Sequence, residues 1–320
     1  MQITAKTIKE LRDRTGAGMV NCKEALNECG GDIEKAVDYL REKGLAATNK
    51  RSGRTTAQGI VLPVMTADRK NAAIIEVNCE TDFVAKTEDF KNFVAHLADL
   101  ALNDPSVKNM TDLETKSYDG HTVAEHAKML IAKTGENITL NRVERFKVPA
   151  GVNATFEVYS HGDGAIGVIV QGQASKPETW KNEAAIDILH ETALQVAGMT
   201  PLYVSAENIP AEAVEREKAV ISGQMKNEEA EKKAADPDYK VRPDSVLAKI
   251  AEGKLNKFFA DITLLKQEYF KENKTTMEAY IKNASKPLND LVVINSFTRW
   301  ALGEESAKDA SAEAACSAGA

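Results

Sequence analysis

Apolar positions along the chain switch repeatedly between a helical period and a strand period, and each switch predicts an element. Ile8 and Leu11, after a capping Thr4, predict a helix running to about residue 14. Thr15-Gly16-Ala17-Gly18 breaks it, a second helix is expected over about 19–29, and Gly30-Gly31 ends that one. Asp32 is placed to cap a third, whose Ile33, Ala36, Val37 and Leu40 share one side. Next come two β-rich runs, 59–65 and 72–78, separated by a polar stretch that predicts a hairpin. Phe90, Phe93, Val94, Leu97 and Leu100 return to helical spacing, and Thr122-Val123-Ala124-Glu125 has the spacing of a capping box opening a helix to about residue 134. A strand is expected over 138–148.

The same order then recurs. Strands are predicted at 155–160 and 165–173 around the turn His161-Gly162-Asp163-Gly164, followed by a helix over about 178–196. Two similar halves, each with strand, turn, strand and helix, make an α+β core. From Pro210 the pattern thins: 211–235 is dense in Glu and Lys, Asp236-Pro237-Asp238 marks a turn, and a second helix runs over about 245–259. A polar helix, a turn and a returning helix predict a projecting antiparallel hairpin. The domain organisation expected is a helical bundle at 1–50, a linker at 51–56, core halves at 57–150 and at 151–209 with 248–280, the hairpin at 210–247, a C-terminal helical module at 281–302, and a disordered tail at 303–320.

One junction stands apart. Between the strand ending at Asn78 and the helix carrying Phe90 lies Cys79-Glu80-Thr81-Asp82-Phe83-Val84-Ala85-Lys86. An aromatic at such a corner is either a core anchor behind an N-cap or a projecting tip for another protein. Residue chemistry alone favours the anchor, because Thr and Asp are ordinary caps and Phe is usually buried.

Composition narrows the function. The 320 residues carry a net charge of −7, and the sequence pI is near 5.5, so long-range attraction to nucleic acid is not expected. Residues 1–54 depart from this, with eleven Lys and Arg against eight Asp and Glu. No stretch approaches a membrane span and no secretory apolar block opens the chain, so a cytosolic protein is expected. Cys22, Cys29, Cys79 and Cys316 form no metal-ligand pattern and read as reduced thiols. Phosphate loops, nucleophilic triads and metal clusters are absent from the pattern, so neither cofactor nor metal is expected and a binding or regulatory protein is favoured over an enzyme. An enzyme with Asp82 and His161 as acid and base is the competing class.

TGAGMVNCKEAL (15–26), GDIEKAVDYLREKG (31–44), EVNCETDFVAK (76–86), HGDGAIGV (161–168), AEGKLNKFF (251–259) and LLKQEYF (264–270) resemble, in order, the translation elongation factor Ts family. The resemblance implies a guanine-nucleotide exchange factor for elongation factor Tu, with no covalent reaction of its own. It also implies an N-terminal domain like ubiquitin-associated domains, a two-part α+β core and a coiled-coil hairpin. In that family the TDFV segment enters the GTPase near its magnesium site, which assigns Thr81, Asp82, Phe83 and Val84 to the site and replaces the core-anchor reading. Further contacts would map to Arg12, Met19, Val20 and His161. Val20 and Asn21 stand where relatives often carry Met and Asp. The hairpin mediates self-association in some relatives and not in others, which leaves one copy or a homodimer in a 2:2 complex open.

Overall fold

The computed structural model describes residues 3–15, 17–40, 54–236 and 238–304. Of the expected linker and tail, only 54–56 and 303–304 lie among the described residues. Near the start, α1 (Ala5–Thr15), α2 (Met19–Glu28) and α3 (33–40) enclose an apolar centre of Leu11, Cys22, Ala25, Leu26 and Ala36. Asp32 caps the third helix by accepting the Lys35 amide at 3.2 Å.

The chain divides into two units. The first takes Met1–Lys147, Ser160–Gly167 and the end from Trp300. Its elements run β1 (Gln58–Met65), β2 (Asn71–Cys79), α4 (Asp82–Ala85), α5 (Glu88–Asn103), α6 (Met110–Glu114), β3 (Ser117–Tyr118), β4 (His121–Thr122), α7 (Val123–Thr134) and β5 (Ile138–Lys147). Strands β1, β2 and β5 form an antiparallel sheet with β2 in the centre, Cys79 lying opposite both Gln58 and Ile138. A register shift at Glu76/Val77 interrupts the β2–β5 ladder.

Strand β2 is buried from Ala72 to Cys79. On one face Ala73, Ile75, Val77 and Cys79 join Phe90, Phe93, Val94 and Leu97 of α5 in a single core. The other face carries Glu76, which has no exposed surface. Its carboxylate accepts from Arg142 Nε at 2.7 Å, Asn78 Nδ2 at 3.0 Å and the Gly303 amide at 3.0 Å. The Arg142 guanidinium lies 4.3 Å above the Trp300 ring and donates to the Ala301 carbonyl. A buried carboxylate is tolerated only with such compensation.

Helix α7 begins on the capping box that its sequence spacing predicts: Thr122 and Glu125 exchange hydrogen bonds at 2.9 and 3.2 Å. Its His126 stacks on Phe93 of α5, with ring centroids 5.3 Å apart, and meets the Tyr118 ring edge-on at 4.0 Å.

The second unit takes Val148–Tyr159 and Val168–Arg299. Strands β6 (Ala154–His161), β7 (Ile166–Gln173) and β8 (Val293–Ala301) form a sheet with β7 in the centre. Helix α8 (Glu183–Met199) buries Ile188, Leu189, Ala193 and Val196. It lies so close to β7 that a Cβ on Gly172 would stand 2.4 Å from a Leu189 methyl. Helices α9 (Ala211–Ala235) and α10 (Asp244–Ile262) pack together as a hairpin. The buried Glu229 closes its turn by accepting from Arg242 Nε, the Arg242 amide and the Tyr239 hydroxyl. Because α10 is unbroken over Asp244–Ile262, the change of domain expected at 247–248 falls inside one helix.

A second expectation also needs correction. The helical module expected over 281–302 is not one: helix α11 (Met277–Ser285) stops early and Val293–Ala301 is strand. Val293, Ile294, Phe297, Thr298 and Trp300 are β-branched or aromatic, the types that suit a pleated surface, and pairing with β7 decides their state.

Two predictions follow from the first unit's packing. Arg142→Ala leaves the Glu76 carboxylate buried without its cation and should cost ~3–5 kcal/mol, read as a lower urea midpoint. Burial lowers the His126 pKa from its ordinary 6.5, helped by the charges of His121 and His96 and opposed by those of Asp119 and Asp89. As pH falls below 6.5 the unfolded chain takes up that proton first. Stability is therefore full above this value and declines on acidification toward the lower folded value, and His126→Phe should flatten the change between pH 7.5 and 5.5.

Candidate functional site

Where β2 leaves the sheet, Thr81 takes extended backbone angles and caps α4, its hydroxyl oxygen accepting the Val84 amide at 3.4 Å. Helix α4 is a single turn. Thr87 ends it and starts α5, accepting the Phe90 amide at 3.3 Å while donating to the Val84 carbonyl at 2.8 Å. Two threonine caps six residues apart thus fold the segment into a corner.

A single turn allows only one side inward. Val84 and Ala85 take it, each 8% exposed, and join the core under α5. Phe83 therefore points out and is 80% exposed. The core-anchor reading fails for Phe83 and holds for its neighbour: Val84 is the anchor and offers little surface. Asp82 is bridged by Lys86 Nζ at 2.6 Å, one turn along. That hydrogen bond holds the Asp82 carboxyl below its usual range and raises the Lys86 pKa. Both side chains are well exposed, so the pair adds little stability. An ionised, paired Asp82 is a poor proton donor, which weakens the acid–base reading.

His161 ends β6, and its side chain is exposed. The turn after it is pinned to the first sheet: the Gly164 carbonyl accepts the Val61 amide at 2.8 Å. With φ of +91° and Ile60 2.8 Å from a built Cβ, position 164 suits only glycine. Asp163 in this turn is one of the charges that raise the Lys86 pKa.

Within the N-terminal bundle, Arg12 lies in the last turn of α1, exposed to solvent. Met19 is 48% and Val20 70% exposed on the first turn of α2, whose N-cap Gly18 provides no side-chain cap.

Sequence reading missed the groups that hold the corner. Glu136, in the loop after α7, accepts the Thr81 amide at 3.0 Å and the Thr81 hydroxyl at 2.7 Å. The next residue, Asn137, donates its amide to Glu80 at 2.6 Å and its side-chain amide to the Arg54 carbonyl at 3.1 Å, while Arg54 pairs with Glu80 at 3.3 Å. Fifty-five residues separate Thr81 from Glu136, and no spacing rule reaches that far. Below the corner, Cys79 donates to the Thr81 carbonyl at 3.1 Å. Burial, with Glu136 nearby, pushes its thiol up to about 12, so it stays protonated and unreactive.

Among the described residues no cluster of His, Cys, Asp and Glu could hold a metal, and no helix is long and apolar enough to cross a membrane. A family described as elongation factor TS matches residues 80–304. The chain is 40% identical over 304 residues to elongation factor Ts of Clostridium kluyveri, covering 94% of this chain and 93% of that protein. It is 38% identical over 303 residues to elongation factor Ts of Clostridium botulinum, with the same coverage. Identity to elongation factor Ts of Symbiobacterium thermophilum is 37% over 303 residues, covering 95% and 93%. With these matches running through both units and through the Thr81–Val84 corner, the chain belongs to the elongation factor Ts family of translation factors.

Proposed function

We propose that this chain is the guanine-nucleotide exchange factor for elongation factor Tu, acting in the cytoplasm without a covalent reaction of its own. The observation that carries the reading is Phe83, 80% exposed at the tip of a capped turn beside the paired Asp82. Membership of the elongation factor Ts family supports elongation factor Tu as the partner.

The mechanism needs only binding energy. In the GTPase, magnesium neutralises the charge of the nucleotide's phosphates, and moving the elements that orient it leaves those phosphates poorly held. Burying a phenylalanine side chain gains roughly 1.5–3 kcal/mol, which Phe83 can spend on wedging those elements apart. Asp82 lies beside it to contact what has shifted. Met19 and Val20 of the bundle and the turn at His161 offer further contact surface. Coupling is reciprocal: the factor by which this chain weakens nucleotide binding is the factor by which nucleotide weakens its own. Incoming GTP with magnesium therefore releases it.

The test is release of a fluorescent GDP analogue from purified elongation factor Tu in magnesium. Wild type should accelerate release many-fold. The double variant Asp82→Ala, Phe83→Ala should not, while its circular dichroism and melting stay unchanged because it gives up exposed surface only. Equal rates for both proteins would remove the corner from the mechanism, and no acceleration by wild type would overturn the exchange reading.

A further inference from the structure

We infer that Glu136 is a positioning residue for the Asp82–Phe83 tip, an inference that rests on the exchange reading above. Helix α4 has four residues, too few to hold its own shape, since helix formation must first offset the cost of ordering a turn. Its geometry has to come from outside. Thr81 is the residue through which that can happen, because its hydroxyl both caps α4, accepting the Val84 amide, and donates a proton. Glu136 accepts the hydroxyl's hydrogen bond on Oε1 at 2.7 Å and that of the Thr81 amide on Oε2 at 3.0 Å. A two-point bond from one carboxylate fixes the backbone and the χ1 of the capping residue together, and its charge strengthens both contacts.

Glu136 is itself held in place. Gly135, at φ +79°, ends α7 with its amide on the Ile131 carbonyl, and the Glu136 amide bonds to the Thr134 hydroxyl at 3.3 Å. Asn137 then grips Glu80 through its backbone amide at 2.6 Å. Two consecutive loop residues thus hold two consecutive corner residues, Asn137 on Glu80 and Glu136 on Thr81. Phe83 and Asp82 follow directly, projecting from a clamped base.

This arrangement has a kinetic signature that differs from that of the wedge itself. Without the clamp the tip spends only part of its time in the competent conformation, and apparent affinity falls by that fraction while the bound complex is unchanged. Glu136→Ala should therefore raise the concentration of this chain giving half-maximal GDP release about ten-fold, the scale of one charge-assisted hydrogen bond, and leave the plateau rate within about two-fold. Phe83→Ala, which removes the wedge, should lower the plateau. Glu136→Gln keeps an acceptor for the Thr81 amide and should fall between wild type and Glu136→Ala, with an unchanged melting temperature. Thr81→Val removes the Val84 cap and the bond to Glu136 Oε1 but keeps the amide bond to Oε2, so adding Glu136→Ala to it should cost less than Glu136→Ala costs in wild type.

A second readout needs no GTPase. Amide exchange at Val84 and Ala85, whose protons rest on Thr81, should quicken about ten-fold in Glu136→Ala. The inference is overturned by an unchanged half-maximal concentration, by a fallen plateau at unchanged half-saturation, by additive single effects, or by unchanged amide exchange. A wild type that leaves GDP release unaltered overturns the exchange reading, and the role of Glu136 with it. The amide result would then report on the corner alone, which keeps the two failures distinct.

Discussion

The structure depends on a strand with water on neither side. Because β2 is buried on both faces, the sheet's register is set by what each face will accept, and one of them holds a carboxylate. Slipping β2 by one residue would carry Glu76 from Arg142, Asn78 and the Gly303 amide into the apolar layer under Phe90 and Phe93. The cost of an unpaired buried charge forbids it. A buried ion pair of this kind does not have to stabilise the fold more than apolar residues would, but it discriminates strongly between registers. Since β2 cannot slide, Cys79 has one place, and the corner at Glu80 and Thr81 begins from a fixed point.

From that point the geometry is local. Thr81 and Thr87 divide the segment into two helices, and a single turn between them must choose which side chain to bury. Burying Phe83 would return more apolar surface than burying Val84. Yet it is Val84 that joins Cys79, Ile60 and the α5 aromatics in the core, while Phe83 stays exposed. A lone exposed apolar residue is common on protein surfaces and signifies nothing by itself. What distinguishes Phe83 is its setting, since threonine caps, a carboxylate clamp and an ion pair all act on the seven residues from Thr81 to Thr87. Such preorganisation lowers the ordering cost of binding.

The legible parts of the molecule were those whose causes lie within a few residues. Thr122 and Glu125 satisfy each other's amides across three residues, so their spacing predicts the start of α7. The apolar stripe of α5 is likewise written in one helix. Val293–Ala301 was not legible, since its burial shows no clean alternation and pairing with a strand more than a hundred residues earlier determines its state. For Phe83, residue type pointed inward and only the resemblance to a family pointed outward. Nothing in the sequence near Thr81 announces Glu136, whose role exists only once β5 lies beside β2.

Under the exchange reading proposed above, the chemistry of the tip also suits a partner that must be let go. Asp82 is already paired with Lys86 and solvated, so carrying it into an interface gives little net electrostatic gain. The usable energy is then mostly apolar, and roughly 1.5–3 kcal/mol from one phenylalanine corresponds to about one to two decades in affinity. An exchange factor built on several strong charge pairs would hold the empty GTPase against returning nucleotide. One built on a rigid apolar wedge can distort a metal site and still be displaced, because reciprocal coupling limits its hold to what the nucleotide can take back. Rigidity is what makes so small an energy effective: a wedge that yielded would lose its gain in its own rearrangement instead of passing it to the partner.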